Sequence, residues 1–370
     1  MKQGSARAPS FLRVAPLIGC AFVALAAPVQ ALDFDWNRAA PGLMDPRPLT
    51  PVAPVVTVEG IWSVGAGGLE LLDIDTGSRI QRWAQEGKVT TNLALLDPAT
   101  VAFGTGKGRV VAMGAGHARW SAQLDAKPLG LSPQGGLLLV TTSQQTVIAL
   151  DTANGKELWR YAPESKALTI LGGSQAVGLP GGGFAVGLSE GRIAKLGSDG
   201  ELQWEQGVTQ IFGTDLQRLA DVDAGPQVFD NQTLIVPVFG HVLAAVSMKD
   251  GHLLWSVDGG VRTAPVVLGG AVYTLFDDGS LARIDGQDGQ VVARSPADPK
   301  GELDRLAQVG GQLWRLGQQG IGPVDPDTLV WSVDPSLAAH HMFSDPLVWG
   351  DRLIFSDDRR TVWVYSGVAP

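Results

Sequence analysis

A short motif, Gly-x-x-x-Trp, returns along this chain and restricts the fold more than any other feature. In its clearest copy, Val147–Trp159, an apolar and β-branched run is followed by a polar turn, Gly155, three residues and Trp159. Variants of the unit occur at Ile80–Trp83, Gly116–Trp120, Gly200–Trp204, Gly251–Trp255, Gly289–Ala293 (without the ring) and Thr328–Trp331. A strand–turn–strand unit repeated about every 40 residues indicates a propeller or a solenoid.

One repeat can be divided into strands from the sequence alone. Residues 264–294 contain four β-rich runs separated by Gly and Asp clusters: Ala264–Leu268, Ala271–Phe276, Ser280–Ile284 and Gln290–Arg294. Such runs are typical of antiparallel hairpins. Four strands of this length make one blade of a β-propeller.

The positions of the fourth strand give the number of blades. They fall at residues 83, 120, 159, 204, 255, 293 and 331. After them the chain supplies a third strand, Thr361–Ser366, but no fourth. The segment Leu32–Trp36 resembles a fourth strand that lacks its first three. We therefore predict an all-β, eight-bladed propeller with four antiparallel strands per blade, whose ring is closed by the N-terminal strand carrying Trp36.

Residues 1–31 have the organisation of a signal peptide. Three basic residues precede the apolar run Val14–Ala27, and Val29–Ala31 forms a cleavage site of the A-x-A type. We expect the mature protein to begin at Leu32 and to be one propeller domain over residues 32–370. The single cysteine, Cys20, leaves an alternative, because Leu17–Cys20 resembles the lipidation motif of bacterial lipoproteins.

Composition narrows the range of partners. Removal of the leader would take away three positive charges and no acidic residue, so the formal charge would change from −9 to −12. Such an acidic chain is a poor candidate for nucleic-acid binding. The intervals 159–204 and 204–255 are longer than the others and place extra residues in Pro163–Gly173 and Gly207–Pro226. Additional loop length on a rigid scaffold is where binding functions concentrate.

No set of residues in the sequence has the spacing of a catalytic or metal centre. The five histidines are scattered, and the adjacent pair His340 and His341 is typical of a solvated loop. Gly104–Gly108 resembles a phosphate loop, but Arg109–Met113 after it predicts a strand instead of the required helix. We expect neither enzymatic activity nor a bound cofactor. The tryptophans, at one fixed place per repeat, are best explained by packing between blades.

The repeat resembles the quinoprotein repeat that pyrroloquinoline-quinone dehydrogenases share with non-enzymatic propellers. This chain lacks the length and the adjacent cysteines that are usual in those enzymes. A second resemblance is more specific. Gln203–Gln206 together with Gly213–Pro226 is similar to the corresponding stretch of the BamB family, propeller subunits of the machinery that folds β-barrels into the bacterial outer membrane.

This second resemblance implies a function and a binding site. It implies a periplasmic scaffold at the inner face of the outer membrane, which docks on the periplasmic domains of BamA and has unfolded β-barrel proteins as its clients. Carried over by position, the contact residues are Leu168, Ile170 and Leu171 in one loop and Asp221 and Asp223 in the next. The family has a basic residue where this chain has Leu171. Without the resemblance, Leu168–Leu171 would be an ordinary strand and the two aspartates would be turn residues. A quinone-binding dehydrogenase, and a periplasmic propeller that binds another protein or a cell-wall component, are the alternative functions.

Overall fold

Short strands make up most of the chain that the computed structural model describes. The described residues are 32–39, 52–65, 68–84, 87–164, 174–208, 222, 225–261, 263–301, 304–333 and 343–368. Within these ranges there is no helix, and the strands form eight antiparallel sheets. In each sheet, strands that are adjacent in the chain are paired, apart from the closing pair described below. The eight sheets are the blades of a propeller, which confirms the predicted fold.

The first four blades are regular four-stranded sheets. Blade 1 contains β2 (Val55–Thr57), β3 (Gly60–Gly65), β4 (Gly68–Leu72) and β5 (Arg79–Ala84). Blade 2 contains β6 (Ala94–Asp97), β7 (Thr100–Gly104), β8 (Arg109–Gly114) and β9 (His117–Gln123). Blade 3 contains β10 (Pro128–Gln134), β11 (Leu137–Thr142), β12 (Val147–Asp151) and β13 (Glu157–Tyr161). Blade 4 contains β14 (Val177–Gly178), β15 (Phe184–Leu188), β16 (Arg192–Leu196) and β17 (Leu202–Gly207).

The remaining blades include two special cases, one short and one closed by the N-terminal strand. Blade 5 contains β18 (Gln227–Val228), β19 (Thr233–Val238), β20 (Val242–Ser247) and β21 (Leu253–Asp258). Blade 6 contains β22 (Val266–Leu268), β23 (Ala271–Leu275), β24 (Leu281–Asp285) and β25 (Val291–Arg294). Blade 7 contains β26 (Arg305–Val309), β27 (Gln312–Gly317) and β28 (Gly320–Pro323). Blade 8 contains β29 (Leu347–Trp349), β30 (Arg352–Ser356), β31 (Val362–Ser366) and β1 (Asp33–Arg38).

The hydrophobic core lies between the blades. Each cluster of buried apolar side chains takes residues from two adjoining blades, as Leu139 and Val147 of blade 3 do with Val186 and Ala194 of blade 4. Second and third strands are almost wholly buried, whereas outer strands such as β5 and β9 are mostly exposed. Because each blade buries its faces only against its neighbours, the core continues around the ring and needs closure to be complete.

The repeated Gly and Trp meet across these blade boundaries. The indole Nε1 of a fourth-strand tryptophan donates to a backbone carbonyl in or beside the third-to-fourth-strand turn of the next blade. The pairs are Trp36 to Ile74 (3.2 Å), Trp83 to Gly116 (3.0 Å), Trp120 to Thr152 (2.8 Å), Trp159 to Ser198 (3.2 Å), Trp204 to Met248 (3.1 Å) and Trp255 to Gly286 (3.0 Å). The interpretation of the tryptophans as packing between blades is therefore confirmed.

We predict that the glycine of the motif is required because it lies under the indole of the preceding blade. A Cβ at Gly289, where φ is 76°, would lie 2.7 Å from Cδ2 of Trp255, whereas a Cβ at Gly269 of the same blade, where φ is 59°, would have nothing within 4 Å. Both substitutions to Ala place a side chain in the left-handed region. Gly289→Ala also overpacks the boundary and should lower the free energy of unfolding by about 1–3 kcal/mol more than Gly269→Ala. Equal losses in urea titrations would contradict this role.

Blades 6 and 7 depart from the motif in different ways. Blade 6 has Ala293 in place of the tryptophan, and the hydroxyl of Tyr273 on its second strand donates instead to the carbonyl of Pro326 in the next blade (3.3 Å). In blade 7, Leu329 adopts the glycine conformation with φ of 58°. The indole nitrogen of Trp331 is buried and has no partner within the described ranges. Blade 8 has no turn between its third and fourth strands that could accept a hydrogen bond from this nitrogen, because those two strands come from opposite ends of the described chain.

Within the described residues, blade 7 has three regular strands, and its fourth-strand position is held by isolated contacts. Beyond β28, the ladder is reduced to a bridge between Val324 and Trp331 and a hydrogen bond from Ser332 N to the carbonyl of Pro323 (2.9 Å). The physical reason is Pro323, which has no N–H to donate to a fourth strand. The chain still runs alongside β28 here, so the outer edge of the sheet is covered.

The closure of the ring by the N-terminal strand is confirmed. β1 pairs antiparallel with β31, with Trp36 opposite Val364. The Trp36 side chain is buried between blades 8 and 1, beside Val56, Ile61 and Ile354. Arg352 of blade 8 contacts the carboxylate of Asp35 within the same blade (3.5 Å) and, across the boundary, the carboxylate of Asp75 in blade 1 (2.8 Å). Residues 40–51, between β1 and β2, lie outside the described residues.

Candidate functional site

The order of the strands gives the ring two chemically different faces. Because successive strands are antiparallel, the turns between second and third strands share one face with the connections from blade to blade. We call this the connection face. The turns between first and second strands and between third and fourth strands, including those that receive the tryptophan hydrogen bonds, lie on the opposite face. Neighbouring connections therefore leave the sheets on the same rim.

The two intervals that the sequence identified as long are connections on this face. One joins Tyr161 at the end of β13 to Val177 at the start of β14, and the other joins Gly207 at the end of β17 to Gln227 at the start of β18. They leave consecutive blades, 3 and 4. The described part of the second connection is fixed to the sheet, because Val208 N donates to the carbonyl of Gly191 (2.8 Å) and Val222 N to that of Leu188 (3.4 Å).

The predicted contact residues themselves, Leu168, Ile170, Leu171, Asp221 and Asp223, lie outside the described residues, as does Cys20. Val222, between the two aspartates, is described and is 2% exposed. It packs in the apolar cluster between blades 4 and 5 and occupies the space above Gly187, where any side chain would overlap it. The second connection therefore has an apolar anchor in the core beside its predicted acidic residues.

A half-buried polar cluster lies at the ends of both connections. The hydroxyl of Tyr161, the last residue of β13, donates to Oε2 of Glu205 on β17 (2.5 Å), and the guanidinium of Arg192, the first residue of β16, donates to Oε1 of the same carboxylate. The side chains of Arg192 and Glu205 are 17% and 22% exposed. Burial, reinforced by the hydrogen bond to Glu205, raises the pKa of Tyr161, so the phenol stays protonated and keeps donating.

A second polar contact joins the same two blades near this cluster. Gln145 lies in the turn between β11 and β12 and has φ of 61°, a conformation that normally favours glycine. Its side-chain Oε1 accepts a hydrogen bond from the backbone N–H of Ser189 in the corresponding turn of blade 4 (3.2 Å). Both residues are buried. Within the described part of this face, blades 3 and 4 are thus connected by side chains as well as by their apolar faces.

The described part of this surface consists of the ends of the two connections, held on the buried strands of blades 3 and 4. Among the described residues, no group of three or more His, Cys, Asp or Glu side chains could hold a metal ion. The same part of the chain contains no helix that is long and apolar enough to cross a membrane. The carboxylate of Glu205 is already occupied by two donors, which suits a structural role for it.

Sequence reasoning missed the members of this cluster. Glu205 falls in the stretch Gln203–Gln206 that carried the family resemblance, but it was given no role there. Tyr161 follows the motif tryptophan by two residues, so both side chains lie on the same face of the strand. This spacing does not show which residue of another blade Tyr161 contacts. Gln145 could have been noticed because it stands in a tight turn where other repeats have glycine, such as Gly108 and Gly279.

Comparison with known proteins gives a consistent family. A family model described as outer membrane protein assembly factor BamB matches residues 65–292 and 220–355. Curated relatives carry the same name. The one from Yersinia pestis is 26% identical over 81% of this chain and 80% of its own length. The one from Moranella endobia is 28% identical over 60% of this chain, and the match spans 61% of that relative's length.

Solved structures agree on the fold. The crystal structure of BamB from Moraxella catarrhalis superposes with a TM-score of 0.76 and 19% identity, over 91% of this chain and 100% of the other. A computationally designed protein, Ika8, superposes with a TM-score of 0.67 and 15% identity, over 86% of this chain and 99% of the other. At these identities the structural matches show the propeller fold alone.

Proposed function

Since this chain belongs to the BamB family of outer membrane protein assembly factors, we propose that it is a non-enzymatic scaffold of the outer-membrane protein assembly machinery. It works in the periplasm at the inner face of the outer membrane and docks on the periplasmic domains of BamA. In this way it supports the folding and insertion of β-barrel proteins. The observation that carries this proposal is the pair of long connections that leave consecutive blades on one face.

The first support is the rigidity of the base. The second and third strands of blades 3 and 4 are largely buried, and Val208 and Val222 fix the second connection to blade 4. Loops held by a rigid scaffold lose little conformational freedom on binding, because the ends of each loop are already in place. A docking role needs this kind of preorganisation and needs no reactive groups.

The second support is the composition of the two connections. The first contains the apolar residues Leu168, Ile170 and Leu171, and the second contains Asp221 and Asp223. Apolar anchors beside a charged rim are the usual arrangement in protein interfaces. The aspartates select a partner surface with basic residues. Leu171 gives an apolar contact where the family pattern has a basic one, so this position contributes burial and no ion pair.

Charge reversal tests the proposal directly. The double variant Asp221→Lys/Asp223→Lys should lose about 2–5 kcal/mol of binding free energy to the purified periplasmic domains of BamA, because it places like charges against a basic surface. The matched control is Glu201→Lys/Asp351→Lys, which makes the same change in net charge at two exposed positions on the opposite face. Calorimetric titration measures the affinity, and circular dichroism checks the fold.

The outcomes separate the alternatives. Unchanged affinity in a folded Asp221→Lys/Asp223→Lys protein would show that the interface lies elsewhere. If the unmodified protein does not bind BamA, affinity capture from the host's cell envelope distinguishes another protein or cell-wall partner. Stoichiometric binding of pyrroloquinoline quinone in the presence of calcium would instead support the dehydrogenase-like alternative.

A further inference from the structure

We propose that Tyr161, Glu205 and Arg192, together with Gln145, are positioning residues that hold the two docking connections at a fixed separation. This inference rests on the proposed function and adds to it. None of the four residues needs to touch the partner. Their task is to join blade 3 to blade 4 at the places where the connections leave the sheets.

The geometry assigns this role because the contacts join blades 3 and 4 close to the strand ends from which the two connections leave. Tyr161 is the last residue before the first connection, and Glu205 is two residues before the end of β17, where the second connection leaves. Their hydrogen bond of 2.5 Å crosses a blade boundary between residues 44 positions apart. Arg192 ties Glu205 to the turn beside it, since its Nε donates to the carbonyl of Ser189 (3.3 Å). The backbone N–H of the same Ser189 donates to Oε1 of Gln145.

The ring does not require these contacts for its integrity. Blades 3 and 4 are already held together by a buried apolar cluster that includes Leu139, Val186 and Leu196, and on the opposite face by the hydrogen bond from Trp159 to Ser198. A half-buried ion pair adds little to stability that apolar packing could not supply. A side chain in the left-handed region at Gln145 is likewise unfavourable for stability alone. Features of this kind are retained where they fix a particular geometry.

Fixing this geometry matters for affinity because two separate loops must meet one partner surface together. If blades 3 and 4 can shift relative to each other on the connection face, part of the binding energy is used to bring the loops into register. Loss of the cluster should therefore weaken binding without removing any contact residue.

The test uses the full mature chain and the purified periplasmic domains of BamA. Glu205→Gln keeps the shape of the side chain but replaces one of its two acceptor oxygens by an NH2 donor, so Tyr161 and Arg192 can no longer each donate to their own oxygen. We expect affinity to fall about tenfold, equivalent to 1.4 kcal/mol. The control is Asp327→Asn, which breaks another cross-blade pair, Arg283 to Asp327 (2.5 Å), on the opposite face. That variant should bind like the unmodified protein.

Two further readouts separate positioning from a general loss of stability. Amide hydrogen exchange should rise in peptides covering residues 162–176 and 208–226 of Glu205→Gln, and should stay unchanged in β12 and β15. Tyr161→Phe removes a single hydroxyl, and its effect on affinity should be non-additive with that of Glu205→Gln, because both break the same contact. If Glu205→Gln does not fold, the affinity of Tyr161→Phe for the BamA domains alone tests the positioning role.

The failure of this inference is distinguishable from the failure of the proposed function. Absence of binding by the unmodified protein would refute the function. The positioning role would be refuted if the unmodified protein, Glu205→Gln and Tyr161→Phe all bound the BamA domains with equal affinity and hydrogen exchange in the two peptides were unchanged. That result would leave the docking proposal intact.

Discussion

Removal of the closing strand is expected to destabilise the whole ring, because β1 supplies the outer strand of blade 8 and covers the boundary with blade 1. Trp36→Ala alone should lower the free energy of unfolding by about 3–5 kcal/mol, the usual loss for truncating a buried tryptophan. It should cost at least as much as Trp159→Ala, because Trp159 is only half-buried. Deletion of residues 32–38 should cost more than either substitution.

A neighbour on the same strand provides the control. Phe34 is 54% exposed and contacts Trp363 and Tyr365 edge-on. Phe34→Ala should therefore cost much less than Trp36→Ala, although both substitutions remove an aromatic ring from β1. Thermal and urea unfolding measure the two losses. Equal stabilities of the deletion variant and the intact protein would show that the closure does not stabilise the ring.

Arg315→Met is expected to have a comparable effect in blade 7. The guanidinium of Arg315 is 7% exposed, its Nε donates to the Asp304 carboxylate (2.7 Å), and its Nη2 donates to Asp298 (3.1 Å). The same group lies over the ring of Trp331, 4.7 Å from the ring centroid. Methionine fills a similar volume but leaves Asp304, which is 1% exposed, without its counter-charge. Breaking a buried pair in this way costs about 3–5 kcal/mol at neutral pH.

This loss should depend on pH in a definite direction. Burial raises the pKa of Asp304, and Arg315 partly opposes the increase. Without Arg315 the pKa of Asp304 in the folded state rises further. At pH values between the pKa of Asp304 in the unfolded state and its pKa in the folded state, the folded protein then binds more protons than the unfolded protein. The stability of the variant relative to the parent should therefore fall as pH rises through that window and recover as pH is lowered.

A second substitution identifies the group responsible. In Arg315→Met/Asp304→Asn the buried carboxylate is gone, so the stability of this variant should lack the pH dependence that Asp304 gives to Arg315→Met. Urea titrations at about pH 5 and about pH 8 provide the comparison. A destabilisation of Arg315→Met that is the same at both values would mean that Asp304 does not carry the uncompensated charge.

The blade count could be predicted because it depends on local signals. The motif glycine and tryptophan are four residues apart in most copies, and each strand is bounded by turn residues, so number and order follow from the sequence. Blade 7 departed because Pro323 ends the hydrogen-bond ladder, an effect that the spacing of Trp331 did not show. The segment between Trp331 and Leu347, the first residue of β29, is also long. Counting intervals from one fourth-strand position to the next did not reveal it, because the last such position is Trp331.

The candidate site was less accessible to sequence reasoning. Its polar base joins Tyr161 to Glu205 and Gln145 to Ser189, pairs that lie 44 residues apart in different blades. A period of two along a strand says which side of the strand a residue occupies, and not which residue of the next blade it meets. The five contact residues came only from the family resemblance, and the charge-reversal experiment is their direct test.

The closing strand also sets an order of events during synthesis. Asp35 and Ser366, whose side chains are hydrogen-bonded at 2.7 Å, are 331 residues apart. A chain that emerges from its N-terminus releases β1 first and its partner β31 near the end, so β1 must wait unpaired while seven blades form. Contacts of such separation are slow to form. The last pairing thus acts as a check on completeness, because a prematurely ended chain keeps an open edge that proteases and chaperones can recognise.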